Sequence, residues 1–203
     1  MEEDPKEENL PEDFNDSDWQ FLFPKKGPIA TTFYPFDSDK PFATCTMCHR
    51  EFSKNDEYII EKAMKGTDVI FELAMCLTCA EDMRKHLSKD SLKRIEAYMS
   101  RVDFEARAQH FRDQPSNNVQ DYLGHCVVSG KPIDPKEEHQ IYAYCSGQEM
   151  MYSAMPYAIS GEVMEEIQEL LSPETKQELD NFMDQYLIPD DLRDLIKGRP
   201  VFI

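Results

Sequence analysis

Cys45-Thr-Met-Cys48 and Cys76-Leu-Thr-Cys79, separated by the 27 residues 49–75, decide how this chain reads. Each C-x2-C pair can present two sulfurs from one side of a turn. Four thiolates then fill the tetrahedral shell of Zn2+ and leave no position for water. Cys45, Cys48, Cys76 and Cys79 are therefore expected to hold one structural zinc ion. Between the pairs, residues 58–63 read as a strand, Lys65-Gly66-Thr67-Asp68 as a turn and 69–75 as the returning strand. A helical pattern opens at the second pair, with Cys79, Met83, His86 and Leu87 on one face. Ser88 is a cap for a further helix, in which Leu92, Ile95, Met99 and Val102 continue the apolar stripe.

Knuckle, hairpin and a helix carrying two ligands in its first turn: in this order, residues 42–88 resemble the treble-clef zinc-finger group. The resemblance implies that Cys45 and Cys48 come from the knuckle and Cys76 and Cys79 from the helix N-terminus. Unpaired amides and the helix dipole favour thiolates there. It implies a scaffold and no particular activity. Four-thiolate iron is the rival metal, but rubredoxin-like loops carry Gly just after each pair. Here His49-Arg50 and Ala80-Glu81 follow, which favours zinc.

The second half repeats this order. Cys126-Val-Val-Ser129-Gly-Lys-Pro stands at the place of the knuckle, and residues 140–144, Ser146-Gly147-Gln148 and 149–154 stand at the place of the hairpin. Ala154-Met155-Pro156 is matched with Ala74-Met75-Cys76, and Leu179, Phe182 and Met183 with Ile95, Tyr98 and Met99. Ser172-Pro173 is a strong helix start. The expected class is α+β, with two related lobes, each a knuckle-like turn, hairpin and helix pair. The first lobe (41–115) binds zinc; the second (116–203) is a degenerate, metal-free copy. In that copy only Cys126 keeps a ligand position, Ser129 replaces the second cysteine, and Pro156-Tyr157-Ala158-Ile159 lacks the helix-start ligands. His125, Cys126, His139 and Cys145 form the one alternative mixed metal set. A short helix over 189–197 and an apolar tail at 200–203 complete the expected second lobe.

The flank on the other side is different in kind. Residues 1–40 are expected to be an acidic, disordered tail carrying an apolar arm at 19–24, Trp19-Gln-Phe-Leu-Phe-Pro24. Residues 1–18 hold nine Asp or Glu against one Lys, a net −8, so the other 185 residues still carry −10 of the total −18. That charge argues against direct nucleic-acid binding and against anionic membranes, both of which select cationic surfaces. No run reaches the roughly 18–20 apolar residues of a membrane span, and the acidic N-terminus lacks a secretory signal, so a cytoplasmic protein is expected.

Catalytic signatures are missing from the sequence. There is no His-Glu-x-x-His, no phosphate-binding glycine loop and no Gly-x-Ser-x-Gly elbow, and four cysteines close a zinc shell that a catalytic ion would keep open. His49 beside Cys48 reads as a neighbour of the metal site. The series Glu162, Glu165, Glu166 and Glu169 reads as a solvated helix face. No catalytic residue is assigned. The leading expectation is a non-enzymatic, zinc-stabilised interaction or adaptor module, engaging a basic protein partner through acidic surface or the arm. An acidic inhibitor occupying another protein's nucleic-acid site is the alternative. An enzyme with a site between the lobes, near His125, Cys126 and Tyr144, is third.

Overall fold

The computed structural model describes residues 25–187. The acidic segment and the apolar arm 19–24, the helix expected over 189–197 and the tail 200–203 lie outside the described residues. The fold is α+β, built on one antiparallel sheet. Its strands are β1 (Lys25–Pro28), β2 (Glu57–Lys65), β3 (Asp68–Cys76), β4 (Glu138–Ser146), β5 (Glu149–Tyr152) and β6 (Tyr157–Ser160). The spatial order is β1-β5-β4-β2-β3, with β6 also paired to β4. The helices are α1 (Leu77–His86), α2 (Lys89–Met99), α3 (Phe104–Asp113), α4 (Gln120–Leu123), α5 (Gly161–Glu169) and α6 (Pro173–Tyr186).

The two expected hairpins share a single sheet. β2 and β4 pair antiparallel over nine residues, from Glu57↔Ser146 to Lys65↔Glu138, and Glu61 faces Tyr142 at the midpoint. Alternation along these strands sends side chains to two faces. On one face Tyr58, Ile60, Ile141, Ala143 and Cys145 join Ile29, Phe33, Leu123 and Met150. On the other, Ala63, Phe71, Leu73 and Met75 meet Met83 of α1 and Leu179, Phe182 and Met183 of α6. Tyr98 and Met99 of α2 pack instead with Cys126, Tyr142, Ile159 and Val163 from the second half. Each half thus lends its long helix to the other half's knuckle.

Residues 25–40, assigned to the tail from sequence, are ordered and correct that expectation. β1 pairs with β5 from Lys25↔Tyr152 to Pro28↔Glu149. A 3-10 turn at Thr31–Phe33 then buries Phe33 completely. A buried lysine fixes the segment: Lys62 donates to the Tyr34 carbonyl at 2.6 Å and pairs with Glu72 at 2.9 Å, while Glu72 accepts from the Phe36 amide at 2.8 Å. The sequence pattern hid this because the anchoring groups are a lysine and main-chain carbonyls, which carry no hydrophobic period.

The helix starts fall where their caps predict. Ser88 accepts from the Ser91 amide at 3.1 Å, and Ser172 from the Thr175 amide at 3.2 Å, with Pro173 opening α6. The two caps also grip each other. The Ser88 amide donates to Thr175 Oγ1 at 3.0 Å, the Ser172 amide donates to Ser91 Oγ at 2.8 Å, and the two cap hydroxyls lie 3.1 Å apart. Helix α3 was not foreseen. Its half-buried Arg107 donates to the carbonyls of Ala154, Tyr122 and Pro156 at 2.8–3.0 Å, holding the loop before β6.

Replacing Ser172 with Ala removes a cap and the contact between the two cap hydroxyls, leaves both cross-cap amide donations in place, and should lower unfolding free energy by about 1–2 kcal/mol in urea titrations. Because the caps touch, Ser88→Ala and Ser172→Ala should be non-additive by at least ~0.5 kcal/mol in a double-mutant cycle. Strict additivity would show that the contact between the two cap hydroxyls carries no energy.

Candidate metal centre

The first knuckle is a tight turn closed by its own backbone. The Cys45 amide donates to the Arg50 carbonyl at 2.9 Å, and the His49 amide donates to the Cys45 carbonyl at 2.9 Å. Closing the turn places His49 at φ +57°, the left-handed region that a side chain enters reluctantly. The turn is then pinned to β3, since the Thr46 amide donates to the Ala74 carbonyl at 2.8 Å and the Ala74 amide to Thr46 Oγ1 at 3.1 Å. Cys76 ends β3 and occupies the N-cap of α1 without making a side-chain cap. Cys79 follows one turn into the helix.

These elements bring the four sulfurs within 4.8 Å of one another, with Cys48 and Cys76 Sγ 4.0 Å apart. A tetrahedral thiolate shell with metal–sulfur bonds of about 2.3 Å has sulfurs about 3.8 Å apart, so the cluster needs little contraction to hold an ion. Cys45 and Cys76 are buried, Cys79 is half-buried and Cys48 is exposed. Among the described residues, this is the one group of His, Cys, Asp and Glu placed closely enough to hold a metal ion. His49 lies outside it, exposed on the turn.

Thiol ionisation shows what the cluster requires. Burial opposes ionisation of Cys45, but the amides of Cys48, Cys76 and Met47 outweigh it and bring the thiol down to about 7. Burial pushes Cys76 up, partly offset by the Cys79 amide. Burial also raises Cys79, which the neighbouring sulfurs of Cys76, Cys48 and Cys45 raise further. One thiolate is favourable here and four together repel. A cation is the group that lets all four ionise.

The second half reproduces the turn with different side chains. The Cys126 amide donates to the Lys131 carbonyl and the Gly130 amide to the Cys126 carbonyl, both at 2.8 Å, with Gly130 at φ +69° where His49 stands in the first turn. The Val127 amide donates to the Ala158 carbonyl at 2.8 Å, as Thr46 does to Ala74. Ala158, not Ala154, is therefore the counterpart of Ala74. The sequence match at Ala154-Met155 was misled by a detour absent from the first half: β5 leaves β4 after Met150, and β6 resumes the pairing at Tyr157↔Tyr142. From Ala74 to Met99 every counterpart then lies 84 positions on, so the spacing already visible between Ser88 and Ser172 carried the correct alignment. The stations of Cys45, Cys48, Cys76 and Cys79 fall on Cys126, Ser129, Ser160 and Val163.

Cys126 is buried, and the hydroxyls and amides of Ser129 and Ser160 lower its thiol against the opposing effect of burial. The mixed set His125, Cys126, His139 and Cys145 does not assemble. Cys126 packs on the helix side of the sheet and Cys145 on the opposite side, His125 is exposed, and the His139 ring lies 3.0 Å from the Glu137 carbonyl. No helix among the described residues is long and apolar enough to cross a membrane. Comparison of the chain with protein-family models, curated proteins and solved structures gives no match.

Metal analysis of the purified chain should find one bound ion, and Cys45→Ser should lower that occupancy at least about tenfold. Protons compete with metal for the same sulfurs, so affinity should rise steadily from pH 6 to pH 8. A pH-independent affinity would mean that these thiols are not the ligands.

Proposed function

We propose that this chain is a non-enzymatic interaction module stapled by one structural zinc ion in a treble-clef-like half, with a degenerate, metal-free copy as its second half. The observation that carries the reading is the closure of four sulfurs into one tetrahedral-sized cluster. Four protein ligands leave no coordination site for substrate or water, so such an ion holds elements together and does no chemistry. The side chains following each pair favour zinc over iron, since neither pair is followed by Gly.

Interaction then falls to the surface. On α5, Glu162, Glu165, Glu166 and Glu169 are exposed on one side while Val163, Met164 and Ile167 face the core. Glu162 pairs with Lys131 at 2.8 Å, and Glu166 accepts from the Tyr98 hydroxyl. Glu165 and Glu169 remain turned outward, and with the chain's net −18 they suit a basic protein segment in the cytoplasm.

The interaction reading is tested by recovering partners from native extract on the full chain and on Glu165→Lys/Glu169→Lys. A specific basic partner should be retained by the first and lost by the second, with metal content and unfolding midpoint unchanged. Equal retention by both would remove α5 as the interface, and no partner above a mock bait would remove the reading. The degenerate-copy reading has its own test. Ser129→Cys, Ser160→Cys and Val163→Cys together should raise zinc from one to two ions per chain, while Cys at 129 with Cys at 154 and 157 should not. One ion in both variants would count against the second half being a former metal site.

A further inference from the structure

A cavity of about 310 Å3 lies between the helix layer and the sheet, beside the contact of the two helix caps. Its floor is Ile59 of β2, Tyr142 of β4 and Tyr157 and Ile159 of β6. Its walls include Leu87, Ile95 and Met99 on one side and Ile167, Leu171 and Leu179 on the other. Several of these occupy core positions of their elements yet stay only half-buried: Ile59, Leu87, Ile95, Met99, Met155 and Tyr157. Apolar side chains facing such a space lose packing partners on one side. The size falls at the lower end of small-molecule pockets, roughly 300–1,000 Å3, and the mostly aliphatic lining with few polar groups has their usual character.

The polar groups limit what can enter. Arg84 and Glu96, the charged residues of the lining, are paired with each other, so neither charge is left for a ligand. Tyr142 is 5% exposed, and its hydroxyl donates to Gln140 Oε1 with Glu61 Oε1 at 3.4 Å. With its hydrogen turned to these acceptors, the phenol offers only lone pairs to an incoming group. Burial, then the nearby Glu61, hold that phenol well above its ordinary range, so it stays neutral. A charged ligand would be left without a counter-charge in an apolar space.

We propose that this cavity is a binding site for a neutral, largely aliphatic small molecule bearing one hydrogen-bond donor, of the class of a medium-chain alcohol, with its donor directed to the Tyr142 hydroxyl. The site is independent of the interaction surface on α5 and of the sulfur cluster. Neither covers it, and it takes its walls from both halves of the chain.

Titration of the full-length, metal-loaded chain with the neutral dye 1-aminoanthracene, followed by displacement with decan-1-ol or decanoate, tests the site. Saturable 1:1 binding is expected, with decan-1-ol displacing the dye at least about tenfold better than decanoate. Ile95→Trp and Met155→Trp, each made separately, fill the space from different elements. Both should abolish binding while the unfolding midpoint holds or rises. Tyr142→Phe should weaken decan-1-ol by up to about tenfold and leave the dye unaffected, as loss of one acceptor predicts. No saturable binding to the full chain overturns the proposal, as does binding that both tryptophan variants retain. Equal displacement by decanoate overturns the assignment to neutral ligands.

Discussion

The nine-residue ladder between β2 and β4 is the constraint on which the rest of the molecule depends. An antiparallel pair is symmetric about its midpoint, and here the midpoint falls between Glu61 and Tyr142. Once those strands are paired, whatever follows each hairpin is directed to the same face of the sheet from opposite ends. That places α1 and α5 on one face, brings the caps of α2 and α6 together at Ser88 and Ser172, and sends each long helix across to the far knuckle. The exchange interlocks the two halves of the chain. It also means that loosening either knuckle removes packing from a helix that belongs to the other half of the sequence.

The midpoint itself is an unusual place to bury polarity. Glu61 is fully buried, with the hydroxyl of Tyr142 against it and Gln140 alongside. An apolar pair there would pack as well and avoid the desolvation of a carboxylate. What the polar pair adds is register. A slip of one residue along β2 would turn Glu61 to the opposite face, among Tyr58, Ile60 and Ile141, and would send Lys62 to the helix side away from Glu72 and the Tyr34 carbonyl. Two buried charged side chains on adjacent residues, facing opposite ways, leave one acceptable alignment of the central strands.

Features carried by side-chain type and local spacing were legible in the sequence. The cysteine pairs, the turn at Gly66, the caps at Ser88 and Ser172 and the Leu92–Ile95–Met99 stripe announce themselves within a few residues, and the structure places them as read. His86 is an exception, since its helix face position is exposed because α1 ends there and Leu87 alone turns inward. What was hidden depends on partners far along the chain. β1 has only Lys-Lys-Gly-Pro to show, and its place is set by β5 more than 120 residues later. α3 is tied down by Arg107 through three carbonyls, a contact with no sequence signature. The second-half positions matching the cysteines were misplaced because a detour after β5 shifts the chain, and a two-residue identity at Ala154-Met155 looked stronger than a steady offset running through two helices.

That detour gives two turns with the same backbone different surroundings. In the first half, the knuckle sits at the sheet edge, where β3 has β2 as its one strand partner, and the Thr46–Ala74 bonds together with the sulfur cluster join knuckle, strand end and helix start. In the second half β6, which carries the equivalent turn, has β4 as its one strand partner as well. β5 turns away to take β1 as a neighbour, and Arg107 of α3 collects the carbonyls of Ala154, Tyr122 and Pro156 into one fixed point. Gly161, where an added Cβ would come within 2.7 Å of the Glu138 carbonyl, seats the start of α5 directly on β4. These contacts fix the approach to β6 and the start of α5. At the positions matching Cys48, Cys76 and Cys79 the second half carries Ser129, Ser160 and Val163.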